Sequence, residues 1–166
     1  MDNTNICCSF LESPFGRWMI AADELGVLSV RPVMTGGATP QLHSSNVEAQ
    51  AHIEGALVWL SCYFSGRVLP DLPSLHLVGT PFQIAVWQRL LTIPYGHTTT
   101  YGALAHTFQP QMSPRAVGQA VSRNPIAILI PCHRLIAAHT LGGYAYGQEL
   151  KHSLLTLEGV KIPFNK

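Results

Sequence analysis

An unbroken apolar run at residues 126–130, Ile-Ala-Ile-Leu-Ile, limits the folds that this chain can adopt. Such a run cannot face water on either side, and its β-branched residues favour extended backbone. It predicts a buried strand that begins after a sharp turn at Asn124-Pro125. The run leads directly into Pro131-Cys132-His133-Arg134. The chain must therefore build a core around residues 126–130 and place a thiol beside it.

Length and composition exclude several protein classes. The 166 residues are 47% hydrophobic and only 11% charged, whereas disordered chains have low hydrophobicity and high charge. No apolar stretch approaches the roughly 20 residues that cross a bilayer, so no membrane association is expected. The first ten residues lack the basic and apolar segments of a secretory signal. The four cysteines include no CxxC pair and no zinc-finger pattern. We therefore expect a cytoplasmic protein with free thiols.

Charge is divided unequally between the two halves of the chain. Residues 1–79 carry three basic and seven acidic side chains, whereas residues 80–166 carry seven basic and two acidic ones. No Asp or Glu occurs at residues 72–148. A segment without carboxylates can approach a phosphate backbone with little repulsion, which suggests nucleic acid. A chain with few charges can also contain such a gap by chance, and the pattern alone does not decide between the two.

The N-terminal half predicts a small mixed α/β scaffold domain over residues 1–75. Two β-rich runs, 17–22 and 26–31, are separated by the hairpin turn 23–25. A helix with one apolar face is predicted over 46–64, with Asn46 as its N-cap. No catalytic grouping is evident in this half.

The C-terminal half, residues 76–166, predicts a mostly helical domain. A capping box at Thr80 begins a helix that runs to about Leu91. Short helices follow at 101–107 and from Ser113-Pro114 to about Arg123, joined by a tight turn as in a helix-turn-helix. A further helix is predicted over 148–157.

The third of these helices has an exposed face made mostly of small residues behind one cation: Arg115, Ala116, Gly118, Gln119 and Ala120. Small side chains let a helix approach a DNA groove closely, and an N-terminal arginine can enter it. Close packing against a neighbouring helix also favours glycine and alanine, so the pattern leaves both interpretations open.

Cys132 is the strongest candidate for chemistry. A thiolate is the reactive form of cysteine, and a neighbouring base such as His133 promotes it. Glu158 lies in the last turn of the final helix, where a carboxylate opposes the helix dipole unless a cationic or protonated group faces it. His133 can be that group. Taken singly, a buried inert thiol and a solvated glutamate are the ordinary alternatives; together the three residues favour a proton relay.

Four stretches carry a resemblance to a known family: SPFGRWMIAADELGVLSV (13–30), TPFQIAVWQRLLTIPYGHTTTYGALA (80–105), RAVGQAVSRNPIAILIPCHRLIA (115–137) and LLTLEG (154–159). They resemble the O6-alkylguanine-DNA alkyltransferases, also called methylated-DNA–protein-cysteine methyltransferases. The resemblance implies a mixed α/β (α+β) fold, with a small ribonuclease H-like β-sheet and helix domain followed by a mostly helical domain with a helix-turn-helix.

The resemblance also implies roles for individual residues. Cys132 accepts the alkyl group, His133 takes its proton through a water, Glu158 orients the imidazole and Asn124 braces the turn beside them. Tyr101 helps to rotate the nucleotide, Arg115 fills the gap left in the base stack, and Tyr144 lines the guanine pocket. The remaining DNA- or substrate-binding positions are Ser113, Ala116, Gly118, Arg134 and Ala145.

The implied partner is double-stranded DNA that contains O6-alkylguanine, bound through its minor groove by a monomer. O4-alkylthymine is a further implied substrate. Transfer is expected once per molecule because an alkyl-cysteine is an unactivated thioether. No cofactor is implied, and no metal either, since Asp23 stands where a zinc-binding cysteine of some members is expected.

Three alternatives differ from this hypothesis in testable ways. A non-catalytic alkyltransferase-like protein binds the lesion but lacks the acceptor cysteine and usually the first domain, both of which this chain has. A cysteine hydrolase turns over repeatedly and needs an oxyanion site. A transcription factor uses the helix-turn-helix alone.

Overall fold

The computed structural model describes residues 5–34 and 45–162, which divide into two compact units. The first unit ends at Val78 and also includes residues 125–129. The second comprises residues 79–124 and those from Ile130 onward. The architecture is mixed α/β, as predicted, with a small antiparallel sheet in the first unit and mainly helices in the second.

The first unit contains a three-stranded antiparallel sheet in the order β1-β2-β3, formed by Cys7–Ser13, Gly16–Asp23 and Gly26–Pro32. The hairpin between β2 and β3 is confirmed. Asp23 Oδ1 accepts hydrogen bonds from the backbone N–H groups of Leu25 and Gly26, which closes the turn. The sequence reasoning did not predict β1, whose residues alternate only weakly between apolar and polar.

The helix α1, Val47–Phe64, confirms the predicted amphipathic helix. Its N-cap Asn46 accepts a hydrogen bond from the backbone N–H of Ala49 at 3.0 Å. The helix packs on the sheet and buries one face, which includes Ile53, Leu60 and Tyr63. The sheet and this helix therefore share one hydrophobic core.

The predicted strand at residues 126–130 is wrong, although all five residues are buried. Ile126 forms one isolated parallel bridge with Val30 of β3, and the Ala127 N–H donates to the Val30 carbonyl at 2.9 Å. The chain then turns, with Ile128 at φ +71°, a left-handed conformation that is rare for a β-branched residue. A run of apolar residues predicts that the segment is buried, but it does not predict whether the backbone stays extended.

The described part of the second unit contains four α-helices: α2 (Pro81–Leu90), α3 (Tyr101–His106), α4 (Pro114–Ser122) and α5 (Gln148–Leu157). The capping box predicted at Thr80 is present. The indole N–H of Trp87 donates to the Ala120 carbonyl at 2.9 Å and links α2 to α4. Ala120 is buried, so it does not belong to the exposed face predicted for α4. A short parallel pair, β4 (Thr99–Thr100) and β5 (Leu135–Ile136), completes this unit.

Within residues 5–34 and 45–162, no helix combines the length and apolar character that a membrane crossing requires. The same residues contain no cluster of three or more His, Cys, Asp or Glu side chains arranged to hold a metal ion. Asp23 instead pairs with His76 at 2.7 Å between Oδ2 and Nδ1.

Candidate active site

Cys132 begins a single 3₁₀ turn, Cys132–Arg134, that directly follows Pro131. Cys132 borders a cavity of about 290 Å³ in the second unit. This cavity is lined by residues of α3, α4 and the segment after it, the 3₁₀ turn and the loop before α5: Tyr101, Gly118, Val121, Ser122, Asn124, Cys132, Gly143, Tyr144, Ala145 and Tyr146. A buried thiol thus forms part of the wall of a concave site, the usual setting for small-molecule recognition.

Asn124 lies where the sequence predicts a bracing residue. Its side-chain amide donates to the Ile130 carbonyl at 3.0 Å and to the Cys132 Sγ at 3.2 Å. The first bond holds the backbone that leads into the 3₁₀ turn, and the second contacts the sulfur itself. A donor to sulfur stabilises the thiolate relative to the thiol.

The environment of Cys132 has opposing effects on its pKa. Burial raises the pKa of the thiol above its ordinary value, while the hydrogen bond from Asn124, the positive charge of Lys151 and the hydroxyl of Tyr144 act in the opposite direction. Burial prevails, so most molecules carry a protonated thiol at neutral pH. Reaction at this sulfur therefore requires a base.

His133 and Glu158 form a fully buried pair, with 2.6 Å between Nε2 and Oε1. Burial alone would raise the pKa of Glu158, but the hydrogen bonds and charges of His133 and Arg134 lower it to about 2. Burial lowers the pKa of His133, against the opposing effect of Glu158. At neutral pH Glu158 is thus a carboxylate, and the neutral imidazole donates Nε2–H to it. This arrangement assigns the proton-accepting lone pair to Nδ1.

Arg134 is predicted from the sequence to bind DNA, but its side chain is buried, with 6% of its surface exposed. Its Nε donates to Glu158 Oε2 at 2.9 Å, and its Nη1 donates to the Ile93 carbonyl at 2.7 Å. The guanidinium is committed to a buried carboxylate, so we correct its assignment from DNA contact to support of Glu158.

Lys151 is a site residue that the sequence reasoning missed. It is completely buried, and its Nζ donates to the carbonyls of Leu135 at 2.6 Å and Gly143 at 3.0 Å. Burial lowers its pKa to about 8, while the nearby Cys132 thiolate opposes that shift. A signal was present in the sequence, because Lys151 occupies the same helical stripe as Leu154, Leu155 and Glu158.

The tyrosines named from the sequence lie at the cavity. The hydroxyl of Tyr101 is 3.5 Å from the Gly143 carbonyl oxygen, and burial, followed by the charge of Cys132, raises the pKa of this phenol. The Tyr144 and Tyr146 rings meet edge to face, with 5.6 Å between their centroids. Ala145 lines the same cavity. These side chains supply apolar and aromatic walls around the sulfur.

The residues predicted to bind DNA on α4 and at its N-cap have different surroundings. Gly118 lines the cavity, and Ser113 caps the helix by accepting a hydrogen bond from the Ala116 N–H at 3.1 Å. Arg115, in the first turn, is exposed. One helix thus lines part of the cavity and carries an exposed cation in its first turn.

Comparisons with known proteins agree on a single family. Residues 81–160 match the model of the 6-O-methylguanine DNA methyltransferase, DNA binding domain. A methylated-DNA–protein-cysteine methyltransferase of Methanosarcina acetivorans is 42% identical over 152 residues, covering 91% of this chain and 97% of that protein. One from Saccharolobus solfataricus is 45% identical over 104 residues, covering 63% of this chain and 68% of that protein.

Solved structures show the same relationship. Mycobacterium tuberculosis OGT in complex with DNA has a TM-score of 0.77 at 37% identity, with 90% of each chain covered. The O6-methylguanine methyltransferase of the same organism has a TM-score of 0.79 at 34% identity, with 96% of each chain covered. Sequence and structure together place this chain in the family of methylated-DNA–protein-cysteine methyltransferases.

Proposed function

We propose that this protein repairs duplex DNA by transferring the alkyl group of O6-alkylguanine to the sulfur of Cys132. The observation that carries the proposal is the position of this sulfur in the wall of an aromatic cavity, 3.2 Å from the Asn124 amide. His133 directly follows Cys132 in the chain, and its imidazole is hydrogen-bonded to the Glu158 carboxylate. A nucleophile, a base and an orienting group are the elements that such a displacement needs.

The reaction balances without a cofactor. His133 accepts the thiol proton at Nδ1 through a water, and Glu158 keeps Nε2 protonated and the ring fixed. The thiolate attacks the alkyl carbon, a C–S bond forms, and the C–O6 bond breaks with its electron pair moving to O6. The guanine anion then takes up one proton, which equals the proton that the thiol released. Lys151 and Asn124 stabilise the thiolate during the attack.

Each molecule reacts once. The product is a thioether, which has no carbonyl that water can attack and no activated leaving group. No second thiol is among the residues that line the cavity. The same displacement applies to O4-alkylthymine, whose alkyl carbon is also attached to an exocyclic oxygen.

The target oxygen lies inside the base stack, so the nucleotide must rotate out of the duplex, which costs a few kcal/mol. We propose that α3 and α4 act as a helix-turn-helix in the minor groove, where Arg115 fills the vacated space. Tyr101 helps to rotate the nucleotide, and Tyr144 lines the guanine site. Support comes from the charge of the described second unit. Its exposed acid is Glu149, whereas its exposed cations are Arg89, Arg115, Arg123 and Lys161.

The remaining parts of the proposal concern organisation. Residues 1–75 form a ribonuclease H-like scaffold domain and residues 76–166 the DNA-binding and alkyl-acceptor domain. Ser113, Ala116, Gly118 and Ala145 contribute to DNA or substrate binding. The protein acts as a cytoplasmic monomer.

The test is an intact-mass measurement after incubation with duplex DNA that carries O6-methylguanine. We expect a gain of about 14 Da that stops at one equivalent, and no gain in Cys132→Ser. Cys62→Ser is the matched control, since Cys62 lies on α1 and is not among the residues that line the cavity, and it should react like the wild type. Lesion binding without a mass change would indicate a non-catalytic relative, and repeated turnover would indicate a hydrolase.

A further inference from the structure

The turn that follows α2 contacts the buried Glu158 carboxylate of the candidate active site. The Gly96 backbone N–H donates to Glu158 Oε2 at 2.9 Å. In the same turn, the Ile93 carbonyl accepts the bond from Arg134 Nη1 at 2.7 Å, and the Tyr95 hydroxyl donates to the Leu157 carbonyl at 3.2 Å. This turn therefore contacts Glu158, its guanidinium partner and the end of α5. None of these three turn residues lines the cavity.

Gly96 can make this contact because it has no side chain. Its φ is +75°, in the left-handed region that L-amino acids with a Cβ rarely adopt. A Cβ at this position would lie 3.1 Å from the Glu158 carbonyl oxygen. Any larger residue would thus be strained and would also push against Glu158.

The Glu158 carboxylate receives donors on both oxygens. His133 Nε2 and Arg134 Nη2 bond to Oε1, at 2.6 and 3.1 Å. Arg134 Nε and the Gly96 N–H both bond to Oε2, each at 2.9 Å. A carboxylate has about four lone-pair sites, so these donors fix its rotation. The Gly96 amide is the one backbone donor among these four.

We propose that Gly96 is a positioning residue of the alkyl-transfer reaction, which holds the Glu158 carboxylate in the orientation that fixes the His133 ring. The inference rests on the alkyl-transfer function proposed above. Without the Gly96 bond, Oε2 loses its backbone donor, and the carboxylate can rotate with the guanidinium of Arg134. The imidazole that it orients then loses its alignment with the thiol. Because Gly96 does not touch the cavity, the effect falls on the rate of transfer and not on DNA affinity.

The experiment compares Gly96→Ala with Gly66→Ala. Gly66 also has a left-handed φ, +62°, but a Cβ there would meet nothing within 4 Å. The single-turnover rate is measured at saturating O6-methylguanine duplex, and DNA affinity is measured in a Cys132→Ser background. We expect Gly96→Ala to slow transfer about 10- to 100-fold at unchanged affinity, because small misalignments of reacting groups have effects of this size. Gly66→Ala should transfer at the wild-type rate.

A second measurement applies even if Gly96→Ala does not fold. In the NMR spectrum of the wild type, an amide that donates to a carboxylate has a downfield proton, and Glu158→Gln should move the Gly96 amide proton upfield. A Gly96→Ala rate equal to that of Gly66→Ala, or a Gly96 amide unaffected by Glu158→Gln, would overturn the inference. If the wild type itself transfers no alkyl group, the proposed function fails first, so the two failures are distinguishable.

Discussion

At the scale of single residues, the reactivity of Cys132 depends on donors that oppose the effect of burial. The amide of Asn124 is 3.2 Å from the sulfur, and its hydrogen bond is the largest influence that lowers the pKa of this thiol. Burial by itself would leave an inert cysteine, the ordinary outcome for a thiol in a core. The difference between a structural and a reactive thiol thus rests on a few polar contacts.

We predict that Asn124→Ala moves the pKa of Cys132 to a higher value, because the thiolate loses its direct donor. The measurement is the pH dependence of iodoacetamide modification, resolved by peptide mass spectrometry. Cys62 in the same sample is the internal control and should keep its profile. A Cys132 profile that is the same in the variant and the wild type would contradict this account of the site.

Glu158 makes stability depend on pH in a defined direction. Its pKa is lowered from 4.5 to about 2 in the folded protein. The stabilisation is fully present above pH 4.5 and is lost as the pH falls towards 2. Between pH 6 and pH 3 we expect the wild type to lose about 2 kcal/mol more unfolding free energy than Glu158→Gln. Urea unfolding at both pH values measures this difference in unfolding free energy. Equal losses in the wild type and in Glu158→Gln would show that the carboxylate is not stabilised by its partners.

At the scale of elements, the sequence was most informative where capping chemistry and periodicity agree. Three helix starts are predicted correctly from their N-cap residues, Asn46, Thr80 and Ser113. Each of these side chains accepts a hydrogen bond from a specific backbone N–H group. The strand predicted at residues 126–130 is wrong because an apolar composition predicts burial and not backbone conformation. The turn at Ile128 depends on tertiary contacts that the sequence pattern does not show. Sequence spacing also could not show that Arg134 turns inward to Glu158, since the 3₁₀ turn decides its direction.

The loop between β5 and α5 depends on close packing at Gly142. Its φ is +75°, and a Cβ there would lie 3.1 Å from the Ala137 nitrogen and 3.2 Å from Tyr101 Cε2. We predict that Gly142→Ala displaces Tyr101 or the loop and slows alkyl transfer. Gly147, in the same loop, has φ +96° and open space around a Cβ, so it is the control for backbone strain alone.

The two variants should differ in unfolding free energy as well as in rate. Gly147→Ala carries only the backbone cost of its positive φ, roughly 1–3 kcal/mol, whereas Gly142→Ala adds a steric cost. Urea unfolding and single-turnover kinetics on both variants measure this. Equal stability and equal rates for the two would show that the Gly142 contact does not position the loop.

At the scale of the whole molecule, the two halves of the sequence differ in net charge: acidic side chains predominate in residues 1–79 and basic ones in residues 80–166. The exposed cations of the described second unit include Arg115 and Arg123, while exposed Arg67 belongs to the first unit. We predict that Arg115→Ala reduces the slope of log affinity for DNA against log salt by about 0.9, because a guanidinium that fills the vacated space still brings one positive charge between the phosphates. Arg67→Ala should leave the slope unchanged. The measurement is a salt titration of DNA binding, and equal slopes for both variants would exclude α4 from the interface.

In the proposed reaction, one sulfur takes the alkyl carbon from DNA. This step can be followed with a duplex whose O6-methylguanine carries a trideuterated methyl group, by peptide mass spectrometry of the protein and nucleoside analysis of the DNA. We expect the label on the peptide containing Cys132, in one copy per molecule, with unmodified guanine restored in equal amount. Label on any other residue, or guanine restored with no label on the protein, would contradict it.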